Sequence, residues 1–503
     1  MAVRERTVDL PDLSTGRRAW TVAVMCAAVG LVIAMVTVVN TALPELALHT
    51  GISQAAQTWI VDVYTLVLAA LVLPAGAMGD RYSRRGVLII GLAVFAVSCA
   101  VPLFADSTPW LIAARAVTGL GAAMIMPATL SIINASFPPE QRGHAIGIWA
   151  AVAGLGGLGG LIVAGLLLRY FSWQSVFVGP AVLAVVLAIA CFTVPTSTEP
   201  ASHRFDTVGA LLSTLAVGSL VFGILRAATL GWGNAVVIGP IAAGLLLGCL
   251  FAWFESRHPA PLLDVRLFTN PGFAIGSVSV MVQFSAAFGA LYALAQYLQL
   301  VHGYSPLKSG LALWPIAVSL FPLSLVSAHL ARWLGLRLLT CAGLAVVAVG
   351  IVLLGGLGAH SDYPALAIAV CVLGGGLGLT APAATSGILD NVPPDKYGVA
   401  SAVNDATREI GAALGIALAG SVLSSVYTDS IRPSTTALPQ AVREVADGSL
   451  AGALVVAQRS GAPGGGLAEA ARVAFTHGMW FGLLALAGIV AAGIITVAAI
   501  RHW

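Results

Sequence analysis

The chain has 503 residues, of which 58% are hydrophobic and only 9% are charged, and its mean hydropathy is +0.95. A water-soluble protein of this length cannot bury that much apolar surface in its core, so part of the surface must face lipid. The formal net charge of +3 is small and gives no indication of a nucleic-acid partner.

Apolar runs of about 20 residues recur along the whole chain, each long enough to cross about 30 Å of hydrocarbon. Fourteen spans are predicted, at 19–42, 56–78, 87–105, 110–134, 145–168, 174–194, 207–225, 235–254, 273–300, 311–330, 338–357, 365–388, 400–424 and 477–498. The first run is too long for a cleaved signal peptide. All six cysteines fall within these spans at no metal-ligand spacing, so neither a disulfide nor a metal site is expected. The sequence predicts an all-α, polytopic membrane protein.

Basic residues predict the orientation of the spans. An even number of spans places both chain ends on the same side of the membrane. The loops and termini on that side carry fifteen Lys or Arg residues, whereas the short loops opposite carry only Arg169, Arg226 and Lys308. Because Lys and Arg are enriched in cytoplasmic loops, both termini are predicted to be cytoplasmic. The segment from Ser424 to Thr476 is then outside the cell.

The chain contains an internal repeat. Three positions of span 4 recur 255 residues later in span 12, so that Gly119, Gly121 and Pro127 correspond to Gly374, Gly376 and Pro382. A second repeat relates the segments that begin at Gly91 and Gly343, with an offset of 252. The offset equals eight spans, which predicts six spans, two additional spans and six spans. Parallel repeats of this kind place the substrate path of a transporter between the two halves.

This arrangement divides the chain into five predicted regions. They are a cytoplasmic N-terminus (1–18), an N-terminal six-helix half (19–194), two extra helices with their linkers (195–272), a C-terminal six-helix half (273–498) and a cytoplasmic C-terminus (499–503). The C-terminal half includes the long extracellular loop (425–476). In this loop, the segments Leu438–Ala446 and Gly466–Ala474 both show helical apolar spacing and are separated by a Gly-rich stretch. They predict a helical hairpin over the outer mouth, with a disordered tether as the alternative.

Four short sequence motifs lie in spans 2, 4 and 5 and in the loop after span 2. The loop after span 2 reads Gly76-Ala-Met-Gly-Asp80-Arg81-Tyr-Ser-Arg84-Arg85, span 2 contains Trp59-Ile-Val-Asp62-Val-Tyr64, span 4 contains Arg115 followed by Gly-x-Gly, and span 5 carries Gly147, Gly156, Gly160 and Gly165. Together these motifs resemble the major facilitator superfamily, in particular its fourteen-span drug:proton antiporter branch, which includes the quaternary-ammonium exporters. The resemblance extends from about Trp20 to Trp503. Within the motifs it departs from the family pattern at four positions, namely Ser83, Thr118, Leu161 and Ala164.

The resemblance implies a fold and a function. It implies the major facilitator fold with helices arranged 6+2+6, and proton-coupled export of drugs across a bacterial cell membrane. The partners that the resemblance implies are the drug and protons, and it implies no cofactor, no metal and no obligatory protein partner. It also implies that Asp62 takes part in substrate binding and proton coupling, since Asp62 lies in the motif closest to that of the cation exporters.

Two of the motifs have a physical interpretation of their own. The glycines of span 5 create a smooth helix face that a neighbouring helix can approach closely and slide against, with ordinary small-residue packing as the alternative. In the loop motif, Asp80 can accept hydrogen bonds from a helix N-terminus, while Arg81 and Arg84 add positive charge to the cytoplasmic side. Such a latch would break when the halves rock. The alternative is a charge cluster that serves only to orient the chain.

Ionisable residues inside spans are costly unless they face a cavity or a partner. Five lie clearly inside the predicted spans, namely Asp62, Arg115, Asp405, Arg408 and Glu409. Asp405 and Glu409 are four residues apart and therefore share one face of span 13. Each carboxylate can alternate between a proton and a cationic substrate, which is what antiport requires, and Arg115 is a candidate for the same coupling. For Asp405 the alternative is a buried pair with Arg408.

The binding cavity is predicted from aromatic and amide side chains inside the spans, because aromatic rings stack on flat or cationic drugs and amides fix their orientation. The candidates are Asn40, Trp149, Phe288, Tyr292, Gln296, Trp314 and Asn404, with ordinary packing as the alternative for each aromatic residue. Two positions that are acidic in some relatives are occupied by Met35 and Leu320. With fewer carboxylates, the chain resembles an exporter of monovalent cations or weakly basic amphipathic antibiotics more than one of divalent cations.

Other functional classes are less well supported. An uptake symporter, or a carrier of a metabolite or lipid with the same fold, stays open as the alternative. The chain has no Gly-x-Ser-x-Gly motif and no phosphate-binding Gly-rich loop with a Lys. We therefore expect no enzymatic activity, and an energy source other than ATP.

Overall fold

A computed structural model of the chain describes residues 14–50, 52–105, 107–195, 205–459 and 464–500. Within these ranges there are sixteen α-helices and no strand. The helices are α1 Thr15–Thr50, α2 Gln54–Arg81, α3 Arg84–Ala100, α4 Thr108–Ser136, α5 Pro139–Tyr170, α6 Ser175–Cys191, α7 Thr207–Leu230, α8 Ala235–Glu255, α9 Pro271–Gln296, α10 Pro306–Ala312, α11 Trp314–Gly355, α12 Tyr363–Leu389, α13 Tyr397–Thr435, α14 Gln440–Gly448, α15 Leu450–Arg459 and α16 Gly464–Ala499. The predictions for both chain termini fall mostly outside the described residues.

Small polar residues, proline and glycine set many of the helix boundaries. The side chains of Ser83 and Asn270 accept hydrogen bonds from backbone N–H groups in the first turns of α3 and α9. Pro139 and Pro271 stand at the first positions of α5 and α9, where a helix needs no N–H donor. Gly335 has a φ of 76° inside α11, a conformation that glycine adopts without strain. It divides α11 into two helices.

The two parts of α11 pass α12 in opposite directions. The contacts are Ile316 with Gly374 and Leu320 with Gly378 before the bend, and Gly343 with Gly376 and Gly350 with Leu373 after it. Residue numbers rise together in the first pair of contacts and run in opposite order in the second. The chain therefore reverses direction at Gly335.

The chain is a multi-pass membrane protein. Among the described residues, twelve helical stretches are long and apolar enough to cross a membrane. One of them, Pro306–Gly355, contains both parts of α11, and α6 is a shorter apolar helix of 17 residues. Dividing that stretch at Gly335 and adding α6 gives a set of helices that fits fourteen crossings. The number of crossings and the 6+2+6 layout remain predictions.

Packing reflects the internal repeat. One hydrophobic cluster is built largely from α1–α6 and includes Phe95 and Ile133, and a second is built mainly from α9–α16 and includes Leu294 and Phe475. In the first cluster α3 and α4 approach each other at Gly91 and Gly121, and in the second α11 and α12 do so at the repeat-related positions Gly343 and Gly376. Glycines without a β-carbon allow these close approaches. The repeated sequence thus forms the same helix contact twice.

The predicted outer hairpin is wrong in its second helix. Helix α13 continues to Thr435, and the hairpin is formed by α14 and α15. The segment 466–474 is instead part of the beginning of α16, because its alanine-rich sequence continues in helical phase into the last span, while Gly464, Gly465 and Gly466 fall in the first turn of α16. The hydroxyl of Tyr427 donates to the carbonyl of Ala446 at 2.9 Å, and Thr435 donates to Asp447 at 2.6 Å. These bonds fix α14 to the end of α13.

Candidate functional site

A buried polar cluster lies on α13. Asp405 and Arg408 are three residues apart and thus neighbours on the helix surface, with 3.4 Å between Asp405 Oδ1 and Arg408 Nη1. Asn404 Nδ2 donates to Asp405 Oδ1 at 3.3 Å, and the hydroxyl of Thr385 on α12 donates to Asn404 Oδ1 at 3.1 Å. The pairing of Asp405 with Arg408, which the sequence left open, is present.

The same arginine connects the two halves. The Arg408 guanidinium lies 4.5 Å from the ring centre of Phe284 on α9 and 5.3 Å from that of Trp149 on α5. Trp149 is itself fixed by a hydrogen bond from its Nε1 to the hydroxyl of Thr129, at 3.1 Å. A cation between two aromatic rings is stabilised by their π-faces, and most strongly where water is excluded. The cluster is therefore at the interface of the halves.

Several polar atoms in this region have no hydrogen-bond partner among the described residues. They include Asp405 Oδ2, Arg408 Nε, the Ser401 hydroxyl and both amide atoms of Gln283. Buried polar atoms are nearly always satisfied in folded proteins, and exceptions call for a specific explanation. These atoms are available for a proton or a polar ligand.

Glu409 differs from its neighbour Asp405. It lies one turn further along α13 and is only partly buried. Arg408 is paired with Asp405, and none of the ion pairs found among the described residues involves Glu409. Of the two span-13 carboxylates, Glu409 is the one without a fixed counter-ion.

Arg115 is buried between α4 and α2. Its Nε donates to the carbonyl of Ile60 at 3.0 Å, and its guanidinium lies 4.3 Å from the ring centre of Tyr64. Tyr64 is held in turn by a hydrogen bond from its hydroxyl to the carbonyl of Val32. Neither Nη1 nor Nη2 of Arg115 has a hydrogen-bond partner in the described part of the chain. Two charged donors are thus left for another acceptor.

Asp62 has a partner that the sequence did not indicate. Arg226, predicted to lie in an outer loop, is part of α7, and its Nη2 is 3.5 Å from Asp62 Oδ2. The Arg226 guanidinium also lies 4.2 Å from the ring centre of Trp59. Arg226 follows the apolar run of span 7 by one residue, and α7 extends beyond that run because the next residues, Ala227 and Ala228, favour a helix. Arg226 therefore lies in a helix and not in a loop, as do Arg169 of α5 and Lys308 of α10, which the sequence also assigned to the short outer loops.

The structure brings some of the predicted cavity residues together and not others. Asn404 and Trp149 belong to the α13 cluster, and Phe288 stacks on Phe284 with 5.8 Å between ring centres. Phe284 was missed, although its position one turn before Phe288 on α9 could have indicated it. Tyr292 packs on Gly420 of α13, and Gln296 is partly buried at the end of α9. Asn40 and Trp314 are exposed. The buried positions of Met35 and Leu320 carry no charge.

At the end of the bundle where α2 meets α3, the two halves are joined. The Asp80 carboxylate accepts hydrogen bonds from the backbone N–H groups of Gly398 and Val399, at 2.8 and 2.9 Å, in the first turn of α13. A helix N-terminus favours a negative charge. Arg84 pairs with Asp80 at 2.8 Å and donates to the carbonyl of Pro394.

Two further contacts join the halves at this α2–α3 end. Gly76 faces the backbone of Gly398 so closely that a side chain on either glycine would not fit. Arg142 of α5 donates to the hydroxyl of Tyr397 at 3.0 Å. Arg81, by contrast, packs beside Tyr82 and is not among the residues that bridge the halves here. Side chains of Asp80, Arg84 and Arg142 thus make hydrogen bonds between the halves at this end, as does Arg332 of α11, which donates to the carbonyl of Glu140 at 2.9 Å.

The four motif glycines of α5 serve two different neighbours. A β-carbon at Gly156 would lie 3.0 Å from Ile33, and one at Gly160 would lie 2.6 Å from the carbonyl of Ala34, so both glycines pack on α1 in the same half. A β-carbon at Gly147 would lie 2.7 Å from the carbonyl of Ser324 on α11. At Gly165 it would lie 3.2 Å from Leu307 on α10. Only Gly147 and Gly165 contact the other half.

Known proteins with similar sequences support a common family. Residues 25–416 match the family model described as the Major Facilitator Superfamily. The multidrug efflux pump LfrA of Mycolicibacterium smegmatis is 34% identical over 488 residues, which cover 96% of both chains. The methyl viologen resistance protein SmvA of Salmonella typhimurium is 33% identical over 422 residues, which cover 82% of this chain and 84% of SmvA.

The fold also resembles a solved structure. The human organic anion transporter MFSD10 (TETRAN) aligns with a TM-score of 0.63 at 14% identity, covering 95% of this chain and 99% of that one. At this identity the likeness concerns the fold alone. The helical architecture, the family match and the two relatives agree, and the chain belongs to the Major Facilitator Superfamily.

Proposed function

We propose that this chain is a proton-coupled antiporter that exports a cationic or weakly basic amphipathic drug across the bacterial cytoplasmic membrane by alternating access. In this proposal the regions 19–194 and 273–498 are the halves that move, and 195–272 supplies two additional helices. Both termini and the α2–α3 end of the bundle are cytoplasmic. Expression of the chain then confers drug resistance on the cell.

The observation that carries the proposal is the charged cluster between the halves. Arg408 is balanced by Asp405 and enclosed by aromatic rings from both halves. Placing charges inside a membrane costs several kcal/mol unless they have a function or a partner, by estimates of about 2.5 to 3.5 kcal/mol per residue on insertion scales. A carboxylate at such an interface can hold either a proton or a cationic substrate. Exchange of one for the other couples their transport.

The carboxylates take different parts in the proposed cycle. Glu409, which has no ion pair among the described residues, carries the proton. Asp405 is held by Arg408, and Asp62 attracts the cationic drug. Protonation of Glu409 from the outside favours drug release there, and loss of that proton to the cytoplasm readies the site for the next drug molecule. Arg115 lies close to α2 with two guanidinium nitrogens that have no hydrogen-bond partner in the described part of the chain, and it stabilises a deprotonated carboxylate.

Alternating access requires the α2–α3 end to open and close. The bonds from Gly398 and Val399 to Asp80, and from Arg84 to Pro394, hold it closed in this structure. They join α2 and α3 of one half to α13 and to the turn just before it in the other half, so they must break for a drug to enter from the cytoplasm. Asp80 and Arg84 act as the latch in this proposal, and Gly76 allows the helices to close on each other.

The relatives support drugs as the substrates. The proteins at 34% and 33% identity are named for multidrug efflux and for methyl viologen resistance. Methyl viologen is itself a dication, but in this chain the absence of a carboxylate at Met35 and Leu320 favours monovalent over divalent cations, because fewer negative charges face the substrate path.

A drug-susceptibility panel tests the proposal. Cells that express the chain and cells that carry an empty vector are exposed to monovalent cationic dyes, weakly basic antibiotics and a dication, with and without a protonophore. We expect resistance to the monovalent compounds, and loss of energy-dependent dye efflux when the protonophore collapses the proton gradient. Equal susceptibility of both strains to every compound, or dye uptake in place of efflux, would refute the proposal.

A further inference from the structure

Arg226 sits in a pocket with the chemistry of a binding site for an organic cation. Its guanidinium is 4.2 Å from the ring centre of Trp59 and 5.7 Å from that of Phe222, and Nη2 is 3.5 Å from Asp62 Oδ2. The two rings lie 6.2 Å apart and are tilted by 31°. One carboxylate and two aromatic faces are what a flat, monovalent, aromatic cation needs, since the first neutralises its charge and the others stack on its rings. Arginine has the same properties on a small scale, being planar, delocalised and weakly hydrated.

The pair of Arg226 and Asp62 is suited to separation. Its single contact of 3.5 Å, like the 3.4 Å contact between Asp405 and Arg408, is longer than the roughly 2.7–2.9 Å of a close, charge-assisted bond, and the two pairs differ in exposure. The side chains of Arg226 and Asp62 keep 14% and 16% of their surface exposed, so the pair is not sealed off. The Asp405–Arg408 pair, in comparison, is nearly completely buried, at 0% and 4%. A ligand can therefore reach the first pair more easily than the second.

Helix α7 brings this arginine to the interface of the two halves. Val221 packs in one cluster with Ala69 of α2 and Ala413 of α13. Beyond the end of α7, Trp232 Nε1 donates to the hydroxyl of Ser421 on α13 at 3.0 Å. The helix thus contacts both halves, since Val221, Phe222 and Arg226 also pack on α2 of the N-terminal half. A change in the position of α7 relative to α2 would withdraw the guanidinium from the carboxylate.

We propose that Arg226 is a resident counter-ion, which occupies the Asp62–Trp59–Phe222 pocket in the absence of substrate and is displaced by a flat, monovalent, aromatic cation. This inference rests on the proposed export of cations. It gives the additional helices a function, because α7 supplies a cation that balances Asp62 between transport cycles. It also sets a threshold for substrates, which must compete with the guanidinium for both charge and stacking.

Binding of ethidium, a flat monovalent cation, to the purified full-length protein in nanodiscs tests this inference. Fluorescence anisotropy gives the Kd for wild type, Arg226→Gln, Asp62→Asn and the double variant. A counter-ion that occupies the site about nine-tenths of the time raises the apparent Kd about tenfold, so Arg226→Gln should bind ethidium about tenfold more tightly than wild type. Asp62→Asn should bind it weakly, and so should the double variant, because the tighter binding depends on the carboxylate.

Two further variants and one competition experiment serve as controls. Arg432→Gln is the matched control, since Arg432 pairs with Asp429 on the same helix as the cluster but in an exposed position, and its Kd should equal that of wild type. Arg226→Lys retains the charge needed for folding but loses the planar stacking group, so its Kd should fall between those of wild type and Arg226→Gln. Methylguanidinium, added to the Arg226→Gln protein, should compete with ethidium.

The outcomes separate this inference from the proposed function. If wild type binds ethidium in an Asp62-dependent manner but Arg226→Gln binds it no more tightly, the resident counter-ion is refuted and cation export stands. If Arg226→Gln fails to fold, an unchanged Kd in Arg226→Lys refutes it equally. If no variant shows saturable binding that Asp62→Asn abolishes, both the inference and the proposed cation substrate fail.

Discussion

Each charged side chain inside the helices has different surroundings, and this separates their proposed roles. Asp405 is held by Arg408 at 3.4 Å, whereas Asp62 has a more exposed partner at 3.5 Å. Glu409 is partly buried without an ion pair among the described residues. Because a free carboxylate changes its protonation most readily and a paired one least, coupling and substrate binding can be assigned to different residues.

We predict that Asp62→Asn removes export of a cationic drug while the amount of protein in the membrane stays near that of wild type. The asparagine keeps the shape of the side chain but cannot neutralise a cation. Minimum inhibitory concentrations and immunoblots of membranes measure the two effects. Asp429→Asn is the control, because Asp429 is an exposed carboxylate paired with Arg432. Undiminished resistance in Asp62→Asn would exclude Asp62 from the site.

We predict that Glu409→Gln abolishes uphill drug transport under a proton gradient but still permits downhill exchange, because a permanently neutral side chain cannot alternate between two protonation states. Asp405→Asn should also reduce transport, but by leaving Arg408 without its counter-ion and so disturbing the cluster. Arg115→Ala should lower uphill transport as well. Transport in proteoliposomes with and without a proton gradient separates these effects. A normal uphill rate in Glu409→Gln would place the proton on another carboxylate.

At the level of single residues, the sequence identifies the charged residues within apolar spans but not the residues that they contact. Five charged residues stand out because the surrounding residues are apolar, and hydropathy alone finds them. The partner of Asp62 lies 164 positions away on a helix outside the internal repeat, where neither periodicity nor the repeat predicts a contact. Arg226 also lies one residue beyond the predicted end of its span, where hydropathy cannot distinguish a loop from the last turns of a helix.

Among the elements, α5 has the most specific packing. Its glycines at 156 and 160 touch α1 of the same half, while Gly147 and Gly165 touch α11 and α10 of the other half. The sequence predicted a smooth face for close approach by a neighbour but not that the neighbours differ. Since the spacing of small residues indicates closeness and not the identity of the partner helix, only the structure divides the four glycines into two pairs.

We predict that Gly160→Leu stops transport, and that Gly156→Leu reduces it, because a leucine at either position forces α1 away from α5. Overpacking of this kind costs about 1–3 kcal/mol, which slows a step about five- to 150-fold if the strain falls on its transition state. Gly159→Leu is the matched control, since nothing lies within 4 Å of a β-carbon there. Dye efflux measures transport in the three variants. Ethidium binding, measured separately by fluorescence anisotropy, should survive in all of them. Full transport by Gly160→Leu would reduce the pattern to ordinary packing.

The helices between α13 and α16 show where sequence periodicity fails. The helical spacing at 438–446 and 466–474 predicted two short helices in one hairpin, and the first corresponds to α14. The second merges with the last span, because its apolar positions continue in phase into that span. Periodicity identifies helical segments but not whether two adjacent segments are one helix, and a run of glycines indicates a break only where it interrupts helical hydrogen bonds.

For the molecule as a whole, the apolar runs predicted an all-helical membrane protein and the resemblance of the motifs implied the major facilitator fold, and the structure and family match confirm both. The proposed mechanism adds that the α2–α3 end opens and closes. Asp80 receives two hydrogen bonds from the N-terminus of α13, and Arg84 bridges to Pro394. All three bonds cross between the halves, so they are lost together when the halves separate.

We predict that Asp80→Asn favours the open state of this end. A neutral amide interacts more weakly with the helix N-terminus, by about 0.3–1 kcal/mol or more. A cysteine at Ala402, which is fully buried beside Gly76, reports opening through its rate of alkylation in a cysteine-free background. Asp395→Asn is the control, because Asp395 is an exposed carboxylate in the turn just before α13. The same alkylation rate in Asp80→Asn and wild type would argue against the latch.

The exchange of a drug for protons is the central claim, and proton movement in proteoliposomes tests it most directly. Vesicles that contain the purified protein are loaded with acidic buffer and diluted into neutral buffer that contains ethidium, and an internal pH dye records proton loss. The account predicts that ethidium accelerates proton efflux and accumulates inside, and that Glu409→Gln and a protonophore each abolish the accumulation. Ethidium entry that is independent of the pH gradient and unaccompanied by proton efflux would contradict the account.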